Sequence, residues 1–390
     1  MLVWLGYMAV VYAISALVAY FAWLPFAPSY PLWETLAAMP VPTALGRLAG
    51  FDGVYYVTIA QNGYVFGGTQ AFFPLYPLLM AVLAKVGINP VVAGLAISSV
   101  AGFVFLDYFY RLVAAWSSPR VAWVAIATVL ASPVAFYLVS VYTESLFLAL
   151  FAWALWSYRR EHYWTAALGC ALLSATRIVG ACLPMVLILR EMYLFFKQSK
   201  TFCIQNIYKY RQNLYNIAIL CLGFSGLFVY MGYLGWRFGD PLLFMSVQSS
   251  FGSGRETAQL VLLPQVLWRY GKMLVGGLPY NLKSYAIVQE LVISLLYLAG
   301  LLAIVYRNFK AKKAVFPRVL LVWSIFIYLI PPLTGNLSSM PRYLLPCLIV
   351  NLLVAKFWCH SRKITGLAMI ASVLGQIFNL CLFVQGFWVA

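Results

Sequence analysis

The sequence predicts an all-α polytopic membrane protein, and composition and hydropathy lead to this fold class. Hydrophobic residues make up 64% of the chain and charged residues only 9%, whereas charged residues are about 25% of a soluble domain. The mean hydropathy is +0.89, and apolar segments long enough for transmembrane helices recur to the C-terminus. No polar block is long enough for a soluble domain. We therefore expect residues 1–390 to form a single integral membrane unit.

The excess of basic residues is best explained by membrane orientation. The formal charge of +17 would suggest nucleic-acid binding in a soluble protein, but here the basic residues lie mainly in short loops between apolar segments. Five loops carry most of them, and we assign these loops to the cytoplasm: Arg111 with Arg120, Arg159 with Arg160, Arg190 to Arg211, Arg307 to Arg318, and Lys356 to Lys363.

This assignment predicts about eleven spans with the N-terminus inside, the first being a retained helix. The predicted segments are 2–24, 91–113, 121–140, 144–158, 164–177, 178–196, 213–235, 286–306, 318–333, 343–357 and 364–388. Residues 25–90 then form a first outer loop with interfacial helices, and 236–285 a second outer segment. Residues 71–87 become interfacial or re-entrant; the alternative, a short span there, shifts the parity of the later basic loops.

Cofactor motifs are sparse. The seven cysteines show no CxxC spacing, so we expect neither a disulfide framework nor a zinc site. The Gly-rich run 251–256 lacks the GK[ST] of a phosphate-binding loop and is predicted to be a mobile outer loop. A divalent metal between Asp52 and Glu144 is conceivable, but few oxygen ligands accompany them, so we expect no obligatory cofactor.

Asp52 is the leading catalytic candidate. The chain has only nine Asp and Glu residues, and an acid at a membrane boundary is a functional candidate by default. It follows the amphipathic stretch from Trp33 to Leu48 and precedes an aromatic-rich stretch, where its carboxylate can accept a proton from a hydroxyl group. The alternative is a structural aspartate that caps a helix or starts a turn with Gly53.

Three further charged residues fall at predicted outer boundaries. Glu144 can support catalysis as a second acid, or can simply occupy a helix N-terminus and interact with its dipole. Arg177 interrupts an apolar region and is predicted to be a snorkelling anchor or a partner of Glu144. Arg342 is the best phosphate ligand, because a guanidinium can bind phosphate with two hydrogen bonds; interface anchoring is its alternative role. Together they predict a composite outer site.

Several blocks in the sequence resemble the PIG-V family, the second mannosyltransferase of GPI-anchor assembly, and its prokaryotic relatives. The blocks run from Phe51 to Tyr64, from Ala71 to Pro77, from Tyr142 to Phe147, from Ser174 to Arg177 and from Pro341 to Pro346. Phe51 stands where Trp commonly precedes the aspartate in the family, and the chain is shorter than the eukaryotic enzymes.

The resemblance implies a GT-C type glycosyltransferase that takes a sugar, usually mannose, from a polyprenyl or dolichyl phosphate carrier. Asp52 would be the catalytic residue, with Glu144 as acidic support and with Arg342 and Arg177 on the donor phosphate and lipid. A lipid or glycan hydroxyl would be the acceptor, and transfer would invert the anomeric centre. The remaining residues expected to bind substrate lie in the same blocks: Tyr55, Tyr56, Gln61, Tyr64, Phe73, Tyr76 and Tyr142.

Two other classes stay open at this point. A lipid-linked sugar flippase or a small-solute transporter also needs many helices, although no internal repeat is evident here. A non-catalytic assembly subunit would leave the glycan products unchanged when Asp52, Glu144 and Arg342 are replaced together. For the transferase, we expect an extracytoplasmic active site in a prokaryotic plasma membrane, or in the endoplasmic reticulum membrane if the source is eukaryotic.

Overall fold

The computed structural model describes residues 1–21, 28, 30–199, 207–248, 261–279, 281–311, 316–358 and 361–389. Over these residues the fold is helical, without a strand. In the first half, the helices are α1 Leu2–Phe21, α2 Trp33–Ala37, α3 Thr43–Arg47, α4 Asp52–Asn62, α5 Leu75–Lys85, α6 Pro90–Trp116, α7 Pro119–Leu130, α8 Glu144–Arg159 and α9 Tyr163–Ser174.

The second half continues in the same way. Its helices are α10 Cys182–Ser199, α11 Ile207–Cys221, α12 Ser225–Phe238, α13 Leu243–Ser246, α14 Leu263–Val275, α15 Leu282–Lys310, α16 Arg318–Leu329, α17 Met340–Tyr343, α18 Leu348–Trp358 and α19 Arg362–Val384. The Gly-rich run 251–256 with Arg255, and also His360, lie outside the described residues.

Each of the eleven predicted segments contains helix in the part of the chain that the structure describes, which confirms the all-α membrane fold. Six apolar stretches among the described residues are long enough to cross a membrane: Leu2–Phe21, Pro90–Trp116, Ile178–Lys197, Arg211–Phe238, Leu282–Lys310 and Arg362–Val384. The other segments are shorter apolar helices, several of them continued by 3-10 turns. The total of eleven spans and the N-terminal orientation stay predictions.

Residues 71–87 form one short helix, α5, whose 11 residues extend about 16 Å. Such a helix does not cross a hydrocarbon core of about 30 Å by itself. Its first amide, that of Leu75, donates to the carbonyl of Ala175 at 3.0 Å, just after α9 ends. The re-entrant interpretation agrees with this length and with this contact inside the bundle.

Small residues allow the central helices to approach closely. A Cβ on Gly226 of α12 would lie 2.0 Å from the carbonyl oxygen of Ala171 on α9, and one on Gly169 would lie 2.8 Å from the Cβ of Ala154 on α8. Helices in membranes pack through small residues because lipid supplies no hydrophobic force between them. These contacts fix α8, α9 and α12 relative to one another, and the ends of α8 and α9 carry two of the candidate site residues.

The described part of the predicted first outer loop folds back onto the bundle. The amide of Val141 donates to the carbonyl of Leu48 at 3.1 Å, and the hydroxyl of Tyr142 donates to the carbonyl of Gly50 at 2.8 Å. Both bonds join the part of this loop just before α4 to the segment just before α8. The loop thus delivers the start of α4 to the start of α8.

Candidate functional site

Asp52 is the first residue of α4, and the backbone before it is strained. Phe51 is the residue at the N-cap position and has φ 56° and ψ −115°, a conformation that costs an L residue about 1–3 kcal/mol. The Phe51 ring is held by Tyr30, Phe383 and Trp388, with centroid distances of 4.6, 5.5 and 5.1 Å. Aromatic packing therefore stabilises the turn from which the Asp52 carboxylate projects.

Gly53 lets this turn lie directly against the chain before α8. A Cβ at Gly53 would be 3.1 Å from the carbonyl oxygen of Val141, which is tighter than ordinary van der Waals contact. Glu144, three residues further on, is the first residue of α8. Neither Asp52 nor Glu144 is the cap of its helix, since the N-cap positions are Phe51 and Thr143. Their side chains are therefore available for ion pairs.

Arg342 lies on the short helix α17, in a loop held by a buried carboxylate. Glu290 on α15 is 4% exposed; its Oε1 accepts from the amide of Ser339, and its Oε2 accepts from the hydroxyl of Tyr270, both at 3.0 Å. The Tyr270 hydroxyl in turn accepts from the amide of Leu337 at 3.0 Å. Helices α14 and α15 thus fix the segment that presents Arg342.

Four charged side chains meet at the site. Arg342 Nη1 lies 2.7 Å from Asp52 Oδ2, and Arg342 Nε lies 3.3 Å from Glu144 Oε1. The same Glu144 oxygen accepts from Arg177 Nη1 at 3.1 Å. The predicted partnership of Arg177 with Glu144 is therefore seen, and the two carboxylates alternate with the two guanidinium groups along one chain of ion pairs.

The four charged side chains differ in their exposure to solvent. The side chains of Glu144 and Arg342 are 1% and 4% exposed, that of Arg177 is 14% exposed, and that of Asp52 is 23% exposed. Asp52 is thus the carboxylate of this cluster that an incoming molecule can touch. Glu144 is positioned to hold both guanidinium groups.

Arg342 is enclosed by aromatic rings as well as by carboxylates. Its guanidinium carbon lies 5.3 to 5.9 Å from four ring centroids, those of Tyr142, Tyr343, Tyr137 and Trp388, within the range of cation–π attraction. Burial opposes its charge, but the carboxylates of Asp52 and Glu144 outweigh burial and hold the pKa of Arg342 well above its ordinary value. Arg342 is therefore a permanent cation.

Some of the predicted substrate-binding tyrosines surround this cluster. Tyr55, one turn after Asp52, is half-buried and stacks on Phe72 at 4.9 Å. Tyr56 is 7% exposed. The hydroxyls of Tyr142 and Tyr76 are used internally, the first on Gly50 and the second on Gly94 and Ser98. Tyr55 thus presents the most open surface of the four, and all four binding roles stay predictions.

Gln61, Tyr64 and Phe73 are not brought to the charged cluster. Gln61 is exposed near the end of α4, about 13 Å along the helix from Asp52. Phe73 belongs to a separate buried cluster with Tyr230, Leu234 and Phe244, against which Tyr64 packs. This cluster docks α12 and α13 on the first outer loop, so a contact of these three residues with substrate would occur away from Asp52.

Glu290 and Trp388 contribute to the site but are not among the residues predicted from the sequence. Glu290 is one of the nine acidic residues and lies inside an apolar segment. Because acids are scarce in this chain, its position alone indicates that it has a buried partner. Trp388 follows Gly386, a residue that can end a helix and reverse the chain, but nothing in the sequence indicates what such a reversal would reach.

In the described part of the chain, no three His, Cys, Asp or Glu side chains are grouped as metal ligands; independence from a metal stays a prediction.

Comparisons with known proteins define the relationship of the chain. No curated protein matches the sequence significantly. Among solved structures, the chain is similar to ArnT from Cupriavidus metallidurans in the apo state, with a TM-score of 0.46 and 12% identity over 97% of this chain and 76% of that chain. Residues 34–235 match the family model of the PIG-V mannosyltransferases. Because this match covers more than half of the sequence and includes Asp52, Glu144 and Arg177, the chain belongs to the PIG-V mannosyltransferase family.

Proposed function

We propose that this membrane glycosyltransferase is of the GT-C type and moves a mannosyl group from a polyprenyl phosphate carrier to a hydroxyl group of a lipid or glycan. Asp52 takes the proton of the acceptor hydroxyl. The acceptor oxygen forms a bond to the anomeric carbon while the bond from that carbon to the phosphate oxygen breaks, and the electron pair leaves with the carrier phosphate. This single displacement inverts the anomeric centre.

The observation that carries this proposal is the partial exposure of Asp52 within a buried ion cluster. A general base must reach the proton that it abstracts, and Asp52 at 23% exposure can do so, whereas Glu144 at 1% cannot. Glu144 instead holds Arg177 and Arg342 in place. Asp52 therefore acts as the base, and Glu144 positions the two guanidinium groups.

The two guanidinium groups supply the charge that a departing phosphate needs. Arg177 is the more open cation, at 14% exposure, and meets the phosphate directly. Arg342, which lies between Asp52 and Glu144 and is 4% exposed, adds a fixed positive charge. Preorganised charges of this kind stabilise a developing anion without the cost of reorganisation.

An apolar groove beside the site supports a lipid-linked donor. It has a volume of about 400 Å³ and lies between α5, α6 and α8, where Leu83, Ala96, Ile97, Val100, Leu146 and Trp153 are among its lining residues. Leu146 is two residues from Glu144, and Ile97 adjoins Ser98, which donates to the carbonyl of Tyr142 at 3.1 Å. The groove therefore begins level with the ion cluster and descends along the bundle, as an isoprenoid tail requires.

The charge distribution favours an outer location for the site. Helix α8 begins at Glu144 and ends at Arg159, about 22 Å away. At that far end Arg159 donates to the carbonyl of Ala115 on α6 at 3.1 Å, close to Arg111 and Arg120 in sequence. Since basic loops stay in the cytoplasm, the ion cluster lies on the extracytoplasmic face.

The proposal is tested by incubating the purified protein in nanodiscs with radiolabelled polyprenyl phosphate mannose and extracted membrane lipids or glycans. We expect label to move to an acceptor with release of polyprenyl phosphate, and analysis of the product to show inversion. Label from a nucleotide sugar should not be transferred. Transfer from the nucleotide sugar, with none from the lipid-linked donor, would contradict the proposal.

Filling the groove should weaken binding of a long-chain donor. Ala96 is exposed and lines the groove, so Ala96→Trp adds a large ring where the tail would lie. We expect the KM for a donor with a full-length isoprenoid chain to rise roughly tenfold, and the KM for a donor with only two isoprene units to stay unchanged. Initial rates with the two donors provide the measurement.

Val92→Trp is the matched control, because Val92 is 39% exposed on the same helix and does not line the groove. It should leave both KM values as in the wild type. A KM for the full-length donor that stays at the wild-type value in Ala96→Trp would place the tail elsewhere.

A further inference from the structure

The segment after α19 turns back toward the ion cluster because of its local sequence. Gly386 has φ 86°, its amide donates to the carbonyl of Phe383, and the amide of Phe387 donates to the carbonyl of Leu382, both at 3.0 Å. This pair of bonds around a left-handed glycine is a Schellman motif, which ends a helix and reverses the chain. Residues 387–389 are therefore directed back across the end of the bundle.

A polar network holds the returning segment. The side-chain amide of Gln289 on α15 donates to the carbonyl of Val389 at 2.8 Å. Gln289 Oε1 accepts from Asn379 on α19 at 2.8 Å, and Asn379 also donates to the carbonyl of Pro133 at 3.0 Å. Gln289 is the neighbour of Glu290, so one turn of α15 fixes both the returning segment and the loop that carries Arg342.

This placement brings Trp388 against two parts of the site. Its ring centroid is 5.1 Å from that of Phe51, the residue before Asp52, and 5.9 Å from the guanidinium carbon of Arg342. Two of the rings around Arg342, Tyr137 and Tyr142, are at most 1% exposed. Trp388 is only half-buried, so it is the more accessible ring next to these two groups.

We infer that Trp388 is a substrate-contacting residue whose indole forms the aromatic wall for the transferred hexose. The inference rests on the proposed function, in which the acceptor hydroxyl contacts Asp52 and the hexose therefore lies beside the Asp52–Arg342 ion pair. A ring that touches both Phe51 and Arg342 borders that space. A pyranose presents a face of C–H groups that packs on an aromatic plane, and an indole offers the largest such plane at little conformational cost.

The test separates the sugar from the rest of the donor. Equilibrium binding of labelled polyprenyl phosphate mannose and of labelled polyprenyl phosphate is measured in nanodiscs for the wild type, Trp388→Ala and Trp388→Phe. We expect Trp388→Ala to weaken binding of the mannose-bearing carrier roughly tenfold, the size of one lost ring contact. Binding of the sugar-free carrier should be unchanged, and Trp388→Phe should restore most of the affinity.

Trp236→Ala is the matched control, since Trp236 is 83% exposed at the far end of α12; it should bind both ligands as the wild type does. Equal weakening of both ligands in Trp388→Ala, or no weakening of either, would overturn the inference. A lower unfolding temperature that accounts for the lost binding would also overturn it, since Trp388 would then be structural. The proposed function is judged separately, by whether the wild type transfers mannose at all.

Discussion

Asp52→Asn is expected to abolish mannose transfer while leaving the protein folded. The amide has nearly the same shape as the carboxylate and still fits beside Arg342, but it cannot take a proton from the acceptor. Loss of a general base lowers kcat by a factor on the order of 10² to 10⁴. The KM for the lipid-linked donor should change little, because Arg177, Arg342 and Glu144 remain. Single-turnover transfer and the unfolding temperature in detergent are the two measurements.

Asp107→Asn serves as the control for this variant. Asp107 is an acid on α6 that also pairs with an arginine, Arg111 at 2.9 Å, but in an exposed position, with 40% of its side chain exposed. It should retain wild-type turnover. Retained turnover in Asp52→Asn would remove Asp52 from the role of base, whereas loss of both turnover and fold would show that its partnership with Arg342 is mainly structural.

The helical architecture was predictable because lipid imposes one strong rule on the sequence. A backbone in hydrocarbon must satisfy its own hydrogen bonds, so spans are apolar helices that hydropathy can locate. The predicted segment 286–306 lies within α15, Leu282–Lys310, and 364–388 overlaps α19, Arg362–Val384. Hydropathy does not encode the break at Leu222–Phe224 between α11 and α12, because apolar composition alone does not distinguish a helix from a 3-10 turn.

The charged core of the site was predictable for a related reason. A charge beside hydrocarbon needs a partner. Glu144, Arg177 and Arg342 each lie at the end of a predicted apolar segment, and Asp52 lies in the loop predicted on the same face. The structure joins these four by ion pairs. Membership of the mannosyltransferase family decides between the classes left open by the sequence, in favour of an enzyme over a flippase, a transporter or an assembly subunit.

The aromatic surroundings were not predictable to the same degree. Tyr64 belongs to the same sequence block as Asp52, and Phe73 to the next block, yet the chain after α4 carries both to the cluster around Tyr230. Trp388 is more than 330 residues from Asp52 in the chain and reaches the site through a glycine turn and through Gln289. Aromatic side chains suit both a core and a binding wall, so only their positions in the fold distinguish the two uses.

Arg342→Gln is expected to cause the largest loss of stability of any single change at the site. Arg342 is the only described cation within ion-pair distance of Asp52, and it also approaches Glu144. Removing it leaves two carboxylates in one largely buried cluster with Arg177 as their remaining cation. Removal of one partner of a buried pair costs about 3–5 kcal/mol, and the contacts with four aromatic rings are lost as well. The unfolding temperature in detergent should fall clearly, and transfer should be lost.

Arg342→Lys separates charge from shape. A lysine keeps the positive charge, but its ammonium group lacks the planar fork that meets two carboxylates and stacks on aromatic rings, so we expect intermediate stability and weak transfer. Arg111→Gln is the control, because Arg111 is 53% exposed in its pair with Asp107 and such pairs contribute about 0–1 kcal/mol. If Arg342→Gln unfolded at the same temperature as Arg111→Gln, the ion cluster would not stabilise the fold.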